Sequence, residues 1–292
     1  MSNFSERLKS KKFIITCEIF PPKGTDLTNL LEKAERLKGI VDGVNVTDSQ
    51  RAIMRISPLA VCHILKEKGL EPIFQLTCRD RNRIALQSDL LGASALGIEN
   101  VLILSGDHPT IGDHPEAKPV YDLDPVQLLK TARVLEKGED LAGRRLKGIP
   151  KFCLGAVANP SFEPLELQIL MMEKKVQAGA EFFQTQPIFD LKTLKNFKEK
   201  ISKLKAKVII GIFLLKSLKM AQLMDEIGLK IPKEYLKRLG KAKEPLREGM
   251  NITVDLIKEI KNKCDGVHLM ALGKEEYIPE ILEASGLLKS QC

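Results

Sequence analysis

Short apolar segments alternate with longer amphipathic segments along almost the whole chain. Eight of the short segments are rich in Val, Ile and Phe and are bounded by turn-forming residues. They predict β-strands at residues 13–20, 43–47, 72–77, 100–104, 152–157, 182–186, 208–213 and 266–271. Several of these runs are continuously apolar, which is typical of strands that are buried on both faces of a parallel sheet.

The intervening segments carry apolar residues at helical spacing and have recognisable ends. They predict helices at residues 27–37, 58–68, 82–96, 125–135, 164–178, 191–204 and 252–262. Ser57 precedes Pro58 as an N-cap residue would, and a glycine follows four of the helices, at positions 39, 69, 97 and 179. Each helix then leads toward a strand within a few residues.

Eight β/α repeats in 292 residues predict an α/β fold, a single (β/α)8 TIM barrel domain over residues 1–292. An open doubly wound sheet is the alternative, but that fold usually has a Gly-rich phosphate turn after its first strand. Here Pro21-Pro22-Lys23-Gly24 follows the first strand, and the sequence contains no GxGxxG. We expect extra helices in two long segments, residues 107–121 after the fourth strand and 216–247 after the seventh.

Composition narrows the class of protein further. Apolar residues make up 43% of the chain and charged residues 29%, which excludes a disordered or collagen-like chain. The longest uninterrupted apolar run, residues 208–215, is too short for a membrane span, and Glu18 interrupts the N-terminal apolar stretch, so a secretory signal is not expected. None of the 6 cysteines forms a CxxC pair. We therefore expect reduced thiols in a cytoplasmic protein, without a zinc ribbon or a cluster motif.

The net charge of +8 raises the question of nucleic-acid binding. The basic residues are spread along most of the chain and interleaved with Asp and Glu, aromatic residues make up 5%, and tryptophan is absent. Nucleic-acid surfaces usually combine a basic patch with stacking aromatic side chains. We expect instead a solvated basic surface, or attraction to anionic small molecules.

Two carboxylates lie where a TIM barrel performs its chemistry, near the C-terminal ends of the strands. Glu18 is inside the first predicted strand, where a charge without partners is costly. Burial favours the protonated carboxyl, so Glu18 is a candidate general acid; pairing with a basic neighbour is an equal alternative. Asp107 follows the fourth strand through Ser105 and Gly106, where glycine allows close approach to a ligand. Asp107 is either a second site carboxylate or a turn residue.

The histidines give a weaker signal. Gly-Asp-His-Pro occurs twice, at residues 106–109 and 112–115, but no third ligand is nearby, so the repeat predicts proline-rich turns and no metal site. His63 is expected on a helix face. His268, inside the eighth strand, is expected to be a hydrogen-bonded structural residue more than a catalytic one.

Neutral polar side chains predominate at the other strand ends. They are Thr47, Gln75, Thr77, Gln184 and Gln186, with Asp48 next to Thr47. Amide groups suit a flat, hydrogen-bonding heterocycle better than a phosphate or a sugar acid. The residues alone therefore predict a barrel mouth that binds a planar polar ligand, with two carboxylates for proton transfer.

Several of these residues also carry a resemblance to the 5,10-methylenetetrahydrofolate reductase family. The matching motifs follow one another from Glu18 to about residue 285, nearly the whole chain. They are CEIFPPK around Glu18, VNVTD around Thr47, QLTC from Gln75, Ser105-Gly106-Asp107, KPVYDL around Tyr121, EKKVQAGA around Lys175, TQPIFD around Gln186, and GVHLMALGK. Each motif alone is weak, but the combination is specific, and the family fold is a (β/α)8 barrel with a flavin at the C-terminal mouth.

The resemblance implies an enzyme of one-carbon metabolism. Reduced flavin passes a hydride from N5 to the methylene group of methylenetetrahydrofolate and gives 5-methyltetrahydrofolate, after protonation of the leaving nitrogen opens the imidazolidine ring. Glu18 matches the family's general acid, Asp107 matches the aspartate between flavin and pterin, and Gln186 matches the glutamine that holds folate. The implied flavin-binding set is Thr47, Gln75, Ser105, Gly106, Asp107, Tyr121, Asn159 and Lys175, and the implied substrate-binding set is Gln186, Leu218 and Lys274.

The chain departs from the family pattern at the flavin and reductant positions. Ser105 replaces an arginine, Gln75 replaces a histidine, and residues 155–160 replace a Tyr-Pro-x-x-His-Pro stretch, in which Asn159 can take over a hydrogen bond. Leu218 stands where the family has a phenylalanine that helps to stack nicotinamide dinucleotide and folate. FAD is the cofactor that the resemblance implies, FMN is the alternative, and direct use of NADH or NADPH is left open.

The chain is similar to the shorter reductase subunits of anaerobic one-carbon pathways. That similarity implies an iron–sulfur partner subunit that relays electrons, within an oligomer or hetero-complex. Two other functions remain as alternatives: a pterin-binding barrel that moves a methyl group to a corrinoid or thiol without redox chemistry, and a non-catalytic barrel that acts as a scaffold.

Overall fold

Eight parallel strands pair in the order of the chain and close into a barrel. In the computed structural model, which describes residues 2–10 and 12–288, each strand pairs with the next and the eighth pairs with the first. The strands are β1 Ile14–Ile19, β2 Gly43–Val46, β3 Pro72–Thr77, β4 Asn100–Leu104, β5 Cys153–Ala158, β6 Phe182–Pro187, β7 Lys207–Phe213 and β8 Gly266–Met270. Closure leaves no free strand edge and confirms the predicted (β/α)8 fold.

Helices surround the barrel, and each of them except the first comes after a strand. They are α1 Asn3–Lys9, α2 Thr28–Leu37, α3 Pro58–Glu67, α4 Arg83–Ala95, α5 Pro125–Leu135, α6 Leu165–Gln177, α7 Leu191–Lys200, α8 Leu218–Met224, α9 Lys233–Lys241, α10 Pro245–Ile260 and α11 Ile278–Ala284. Within the described residues, no helix has both the length and the apolar character that crossing a membrane requires.

The two long segments differ in structure. The segment after β4 contains one 3-10 turn, Pro109–Ile111, whereas the segment after β7 contains α8 and α9, joined by a π-helical turn at Asp225–Leu229.

Helix α10 begins seven residues earlier than the pattern predicted, because Gly249 interrupts the helical signal. A Cβ at Gly249 would lie 1.8 Å from the carbonyl oxygen of Leu215, so the helix needs glycine there to pack closely on the chain that leaves β7.

Side chains alternate along each strand between the helix layer and the barrel interior. Near the N-terminal ends of the strands, the inward side chains form a separate apolar cluster, made of Ile14, Ile73, Leu102, Cys153, Phe182 and Ile209. Helix α1 closes this end of the barrel, because Phe4 packs edge-on against Phe182 with ring centroids 5.2 Å apart. The bottom of the barrel is therefore dry and closely packed.

A polar layer lies directly above this apolar cluster. Thr16, Asn45, Gln184 and His268 come from β1, β2, β6 and β8, and each is at most 3% exposed. TIM-barrel interiors are usually filled by branched apolar residues. Because these four side chains are polar, they must bond to one another, and that requirement positions the site above them.

The cysteines in the described residues are free thiols. Cys17, Cys62, Cys78 and Cys153 are buried and Cys264 is half-buried, while Cys292 lies outside the described residues. Burial, with a smaller contribution from Asp124, raises the pKa of the Cys78 thiol to about 12. This thiol therefore stays protonated and unreactive near neutral pH.

Replacement of Gly155 by alanine should destabilise the barrel by overpacking its interior. A Cβ at Gly155 would lie 2.2 Å from Cζ of Phe182, so the aromatic ring would have to move within a closed interior. We expect Gly155→Ala to lower the free energy of unfolding by about 1–3 kcal/mol. Urea denaturation measures this, with Gly24→Ala as control because nothing lies within 4 Å of that Cβ. Equal stability of the two variants would contradict the assigned packing.

Candidate active site

A cavity of about 870 Å³ opens at the C-terminal ends of the strands. Side chains from most of the strands contribute to its wall, with Leu102, Leu104, Val157 and Met270 as apolar members. Of the residues predicted for the site, the wall includes Glu18, Gln75, Ser105, Gly106, Asp107, Asn159, Lys175 and Gln186. Four others, Thr47, Tyr121, Leu218 and Lys274, do not line it.

The carboxyl of Glu18 lies at the buried end of the cavity. The residue is 4% exposed, and its Oε2 is 3.7 Å from Nε2 of His268 on β8. Oε1 has no hydrogen-bond partner among the described residues. A buried carboxyl oxygen without a partner is uncommon in folded proteins and marks a candidate for contact with a ligand.

The amides of Asn45 and Gln184 bond to each other across the barrel. Asn45 Nδ2 donates to Gln184 Oε1 at 2.6 Å, and Gln184 Nε2 donates to Asn45 Oδ1 at 2.9 Å. Gln184 Nε2 also donates to Thr16 Oγ1 at 3.1 Å. The amide of Gln184, which the sequence indicated as a ligand contact, is therefore already used inside the barrel. Gln186 is exposed at the rim and keeps its amide accessible.

Asp48 and Thr77 likewise bond to each other. Asp48 Oδ2 accepts from the backbone N–H and the hydroxyl of Thr77 at 2.9 and 2.8 Å, and Arg81 contacts both carboxylate oxygens of Asp48 at 2.7 and 3.3 Å. Burial opposes the charge of Arg81, but Asp48 and Asp89 outweigh it and raise the pKa of the guanidinium. These residues hold the ends of β2 and β3 together beside the cavity.

Asp107 joins two loops at the rim of the cavity. Its Oδ2 accepts from the backbone N–H of Arg51 at 2.8 Å, which ties the loop after β4 to the loop after β2. Gly106 has a φ of +84°, and a Cβ at this position would lie 3.0 Å from Cβ of Thr77, so the turn favours glycine. The hydroxyl of Tyr121 donates to the carbonyl of Gly106 at 3.2 Å. Tyr121 therefore supports the site loop from outside the cavity.

Lys175 is a basic side chain of the cavity wall whose pKa is lowered by burial. Its Nζ donates to the carbonyl of Val157 at 2.7 Å, at the end of β5. Burial lowers the pKa of the Lys175 ammonium below its ordinary value, and Asp124 opposes the shift only in part. An ammonium that is poorly compensated by the protein is suited to bind an anionic group.

The other three predicted residues outside the cavity wall differ in their surroundings. Thr47 is buried below the rim, and its Oγ1 has no partner among the described residues. Leu218 packs into the small apolar cluster that α8 and α9 form above β7. Lys274 lies 3.5 Å from Glu276 and over the ring of Tyr277.

The histidines of the Gly-Asp-His-Pro repeat bond locally. His108 Nδ1 is 2.9 Å from Thr110 Oγ1, and His114 Nδ1 is 2.9 Å from Asp113 Oδ1. Over residues 2–10 and 12–288, no group of three or more His, Cys, Asp or Glu side chains could hold a metal ion.

Sequence reasoning missed one wall of the cavity. That wall includes Phe162, Leu167, Leu170, Met171 and Lys174, and the four apolar side chains are between 40 and 52% exposed. The signal was present, because α6 reads LELQILMM and is apolar on two faces, whereas a helix that covers a barrel needs only one. Arg79, 2% exposed, was missed as well; it donates to the carbonyls of Ser49 and Asp107 at 3.3 Å each.

Comparison with known proteins identifies the relatives of this chain. The family described as methylenetetrahydrofolate reductase matches residues 3–286. Methylenetetrahydrofolate reductase 2 of Schizosaccharomyces pombe is 27% identical over 93% of this chain, and the match covers 45% of that protein. The 5,10-methylenetetrahydrofolate reductase of Salmonella typhimurium is 25% identical, with 94% of this chain and 90% of that protein covered. The chain thus spans less than half of the yeast relative and nearly all of the bacterial one.

A solved structure shares the fold. It is an uncharacterized protein from Clostridium thermocellum that binds two copies of 5-methyl-5,6,7,8-tetrahydrofolic acid. The TM-score is 0.69 at 17% identity, with 98% of this chain and 99% of that chain covered. The family match over nearly the whole chain confirms the resemblance that the motifs indicated.

Replacement of Lys175 by methionine should stabilise the ligand-free protein. The folded state lowers the pKa of this lysine from 10.5, so its burial costs stability at neutral pH, and the unfolded chain binds more protons between the folded-state pKa and 10.5. We expect Lys175→Met to raise the urea midpoint at pH 7, and the difference from wild type to shrink as pH rises toward 10.5. Lys174→Met, at an exposed lysine of the same cavity, is the control. A lower midpoint for Lys175→Met than for this control would contradict the effect of burial.

Proposed function

The chain belongs to the methylenetetrahydrofolate reductase family, and we propose that it is a flavin-dependent 5,10-methylenetetrahydrofolate reductase. One observation carries the proposal: the buried carboxyl of Glu18 has an oxygen without a partner among the described residues, and it faces a cavity with many amides and hydroxyls in its wall. Such a carboxyl suits proton delivery to a bound heterocycle. The tetrahydrofolate derivative in the clostridial structure belongs to the same class as the proposed substrate.

The residues of the cavity fit a flavin. Its volume of about 870 Å³ is near the upper end of the usual range for small-molecule sites, so a flavin ring and a pterin can share it. Gln75 and Asn159 offer hydrogen bonds to a ring edge, and Lys175 offers an ammonium to a phosphate. When bound, a reduced flavin supplies the two electrons and the hydrogen that convert the methylene group to methyl.

Glu18 acts as the general acid in this proposal. Its carboxyl gives a proton to the leaving nitrogen of the imidazolidine ring, so that the ring opens and the methylene carbon becomes electrophilic. Ligands bound over this carboxyl would exclude water from the transfer. The carboxylate that remains lies on the side of His268, whose Nε2 is 3.7 Å from Oε2.

Asp107 and Gln186 orient the substrate. Asp107 uses Oδ2 to hold the N–H of Arg51, and its other oxygen is offered to the donor groups of the pterin. The exposed amide of Gln186 supplies a donor and an acceptor to the folate at the rim. These contacts orient the ring so that its leaving nitrogen faces Glu18.

The proposal predicts a bound flavin and a specific role for Glu18. The purified, anaerobically handled chain should show a flavin absorption band, and chromatography of the released cofactor identifies FAD or FMN. Glu18→Gln keeps the shape of the side chain but removes the acid, so folate reduction should fall by roughly 10²–10⁴-fold. Flavin reduction by dithionite should stay unchanged in the same variant, which serves as the internal control.

Two results would separate the proposal from its competitors. A chain that binds folate but takes up no flavin would overturn the reductase and favour methyl transfer without redox chemistry. Folate reduction at the wild-type rate in Glu18→Gln would remove Glu18 from the mechanism.

FMN in place of FAD would keep the chemistry and assign the changed residues 155–160 to the part of the site that the family uses for the adenosine half.

We propose further that the flavin receives its electrons from an acidic partner protein. Basic residues occur along most of the chain, but residues 190–244 contain 15 Lys and Arg against 6 Asp and Glu, an excess larger than the net charge of +8 of the whole chain. Helix α9 presents exposed Lys233, Lys237 and Lys241 along one face, and the π-helical turn before it brings Leu229 into the cavity wall. A basic surface beside the flavin mouth suits docking of an acidic iron–sulfur protein.

The charge of α9 should affect the rate of flavin reduction by a protein electron donor but not by a small-molecule reductant. Replacement of Lys233, Lys237 and Lys241 by glutamine should slow flavin reduction by reduced ferredoxin about 10-fold at low salt and weaken its salt dependence. Reduction by dithionite should be unaffected. Lys203→Gln with Lys205→Gln, at exposed positions just before β7 at the opposite end of the barrel, is the control. Rapid oxidation of NADH or NADPH by the chain alone would contradict the need for a partner.

A further inference from the structure

A buried histidine beside Glu18 has no role in the mechanism above. His268 is 3% exposed in the middle of β8, and the expectation from sequence was a structural residue. We infer that His268 is a positioning residue for Glu18, with a ring tautomer fixed by a hydrogen-bond chain through Thr16, Gln184 and Asn45. The catalytic part of this inference rests on the proposed reductase function, whereas the tautomer does not.

The hydrogen-bond chain starts at Asn45 and Gln184, the pair of amides that bridges the barrel. Gln184 Nε2 carries two hydrogens; one goes to Asn45 Oδ1 at 2.9 Å and the other to Thr16 Oγ1 at 3.1 Å. Asn45 Nδ2 returns a hydrogen bond to Gln184 Oε1 at 2.6 Å. Both hydrogens of Gln184 Nε2 are therefore used, and none is left for Nδ1 of His268, which is 3.5 Å away.

The hydroxyl of Thr16 lies between Gln184 and His268 and determines whether Nδ1 of the histidine donates or accepts. Its hydroxyl accepts from Gln184, so its single hydrogen is free to point to His268 Nδ1 at 2.9 Å. Nδ1 must then be the acceptor, and a neutral imidazole with an acceptor at Nδ1 carries its hydrogen on Nε2. The network therefore gives His268 an Nε2–H group without any reference to Glu18.

That N–H group faces the candidate acid. Nε2 is 3.7 Å from Oε2 of Glu18, and both side chains are at most 5% exposed. The separation exceeds a direct hydrogen bond by about 0.5 Å, so a small rotation of the Glu18 side chain closes it. An N–H donor stabilises the carboxylate that remains after proton transfer more than it stabilises the carboxyl before it. The effect belongs to the chemical step and not to substrate binding.

The tautomer can be observed directly on the full chain. A long-range ¹H–¹⁵N correlation spectrum distinguishes Nδ1–H, Nε2–H and doubly protonated rings, and His268→Gln identifies the signal among the 4 histidines. We expect an Nε2–H imidazole in wild type. Thr16→Val removes the hydroxyl donor and should shift the nitrogen resonances of His268, whereas Thr16→Ser keeps the hydroxyl and should leave them in place.

Two spectra would overturn the inference. An Nδ1–H ring in wild type would mean that both amides and the threonine hydroxyl donate in the reverse direction. An unchanged signal in Thr16→Val would mean that the hydrogen-bond chain does not determine the tautomer of His268. Neither result bears on whether the protein is a reductase, so a failure here is separate from a failure of the proposed function.

Steady-state kinetics test the positioning role. His268→Gln and Thr16→Val should each lower kcat for folate reduction roughly 10-fold, as expected for one hydrogen bond to a charged group, with KM within about 2-fold of wild type. Thr16→Ser should restore most of the rate. Thr131→Val, at a buried threonine whose Oγ1 donates to Gln127 within α5, is the control for loss of a buried hydroxyl and should keep the wild-type rate. A raised KM with unchanged kcat would assign His268 to substrate binding and overturn positioning.

Discussion

A closed barrel must satisfy its interior polar groups from within, and the rest of the site depends on this constraint. The interior of the barrel has no free strand edge and little solvent, so an unpaired donor or acceptor there is costly. Thr16, Asn45, Gln184 and His268 meet the requirement by bonding to one another. Above them, one oxygen of Glu18 and the hydroxyl of Thr47 find no partner among the described residues. The unpartnered oxygen of Glu18 therefore belongs to a residue that lines the cavity.

The barrel interior is therefore graded in polarity along its axis. At the bottom, Phe4 and Phe182 make a dry base, and Gly155 is the residue that leaves room for the Phe182 ring. In the polar layer in the middle, the amides of Asn45 and Gln184 are reciprocally paired. This pairing fixes which atom of each side chain donates and which accepts. A carboxyl at the top is tolerated because one side meets this layer and the other meets the cavity. The same Glu18 in the bottom layer would have no group to pair with.

The sequence predicted the features that depend on neighbouring residues and missed those that depend on residues far apart in the chain. Strand ends were predicted within two residues, because apolar runs and turn residues are local signals, and strand topology then brought Glu18, Asp107 and Gln186 to one mouth. Which side chains pair across the barrel is not local: Asn45 and Gln184 are 139 positions apart, and no spacing rule relates them. For that reason Gln184 was predicted as a ligand contact. Asp48, which bonds to Thr77 and Arg81, was not recognised as a structural centre.

The loop after β2 shows how the scaffold is tied to the chemistry. Ser49, Arg51 and Ala52 have φ values of 46°, 58° and 54°, a left-handed region that costs about 1–3 kcal/mol for each residue with a side chain. Contacts from the loop after β4 compensate: Asp107 holds the N–H of Arg51, and Gly112 packs so tightly on Ala52 that a Cβ would lie 2.0 Å from its carbonyl oxygen. The carboxylate proposed to face the pterin is thus also a brace for a strained loop. A variant that removes the carboxylate of Asp107 would therefore also remove the hydrogen bond that holds Arg51 in this loop.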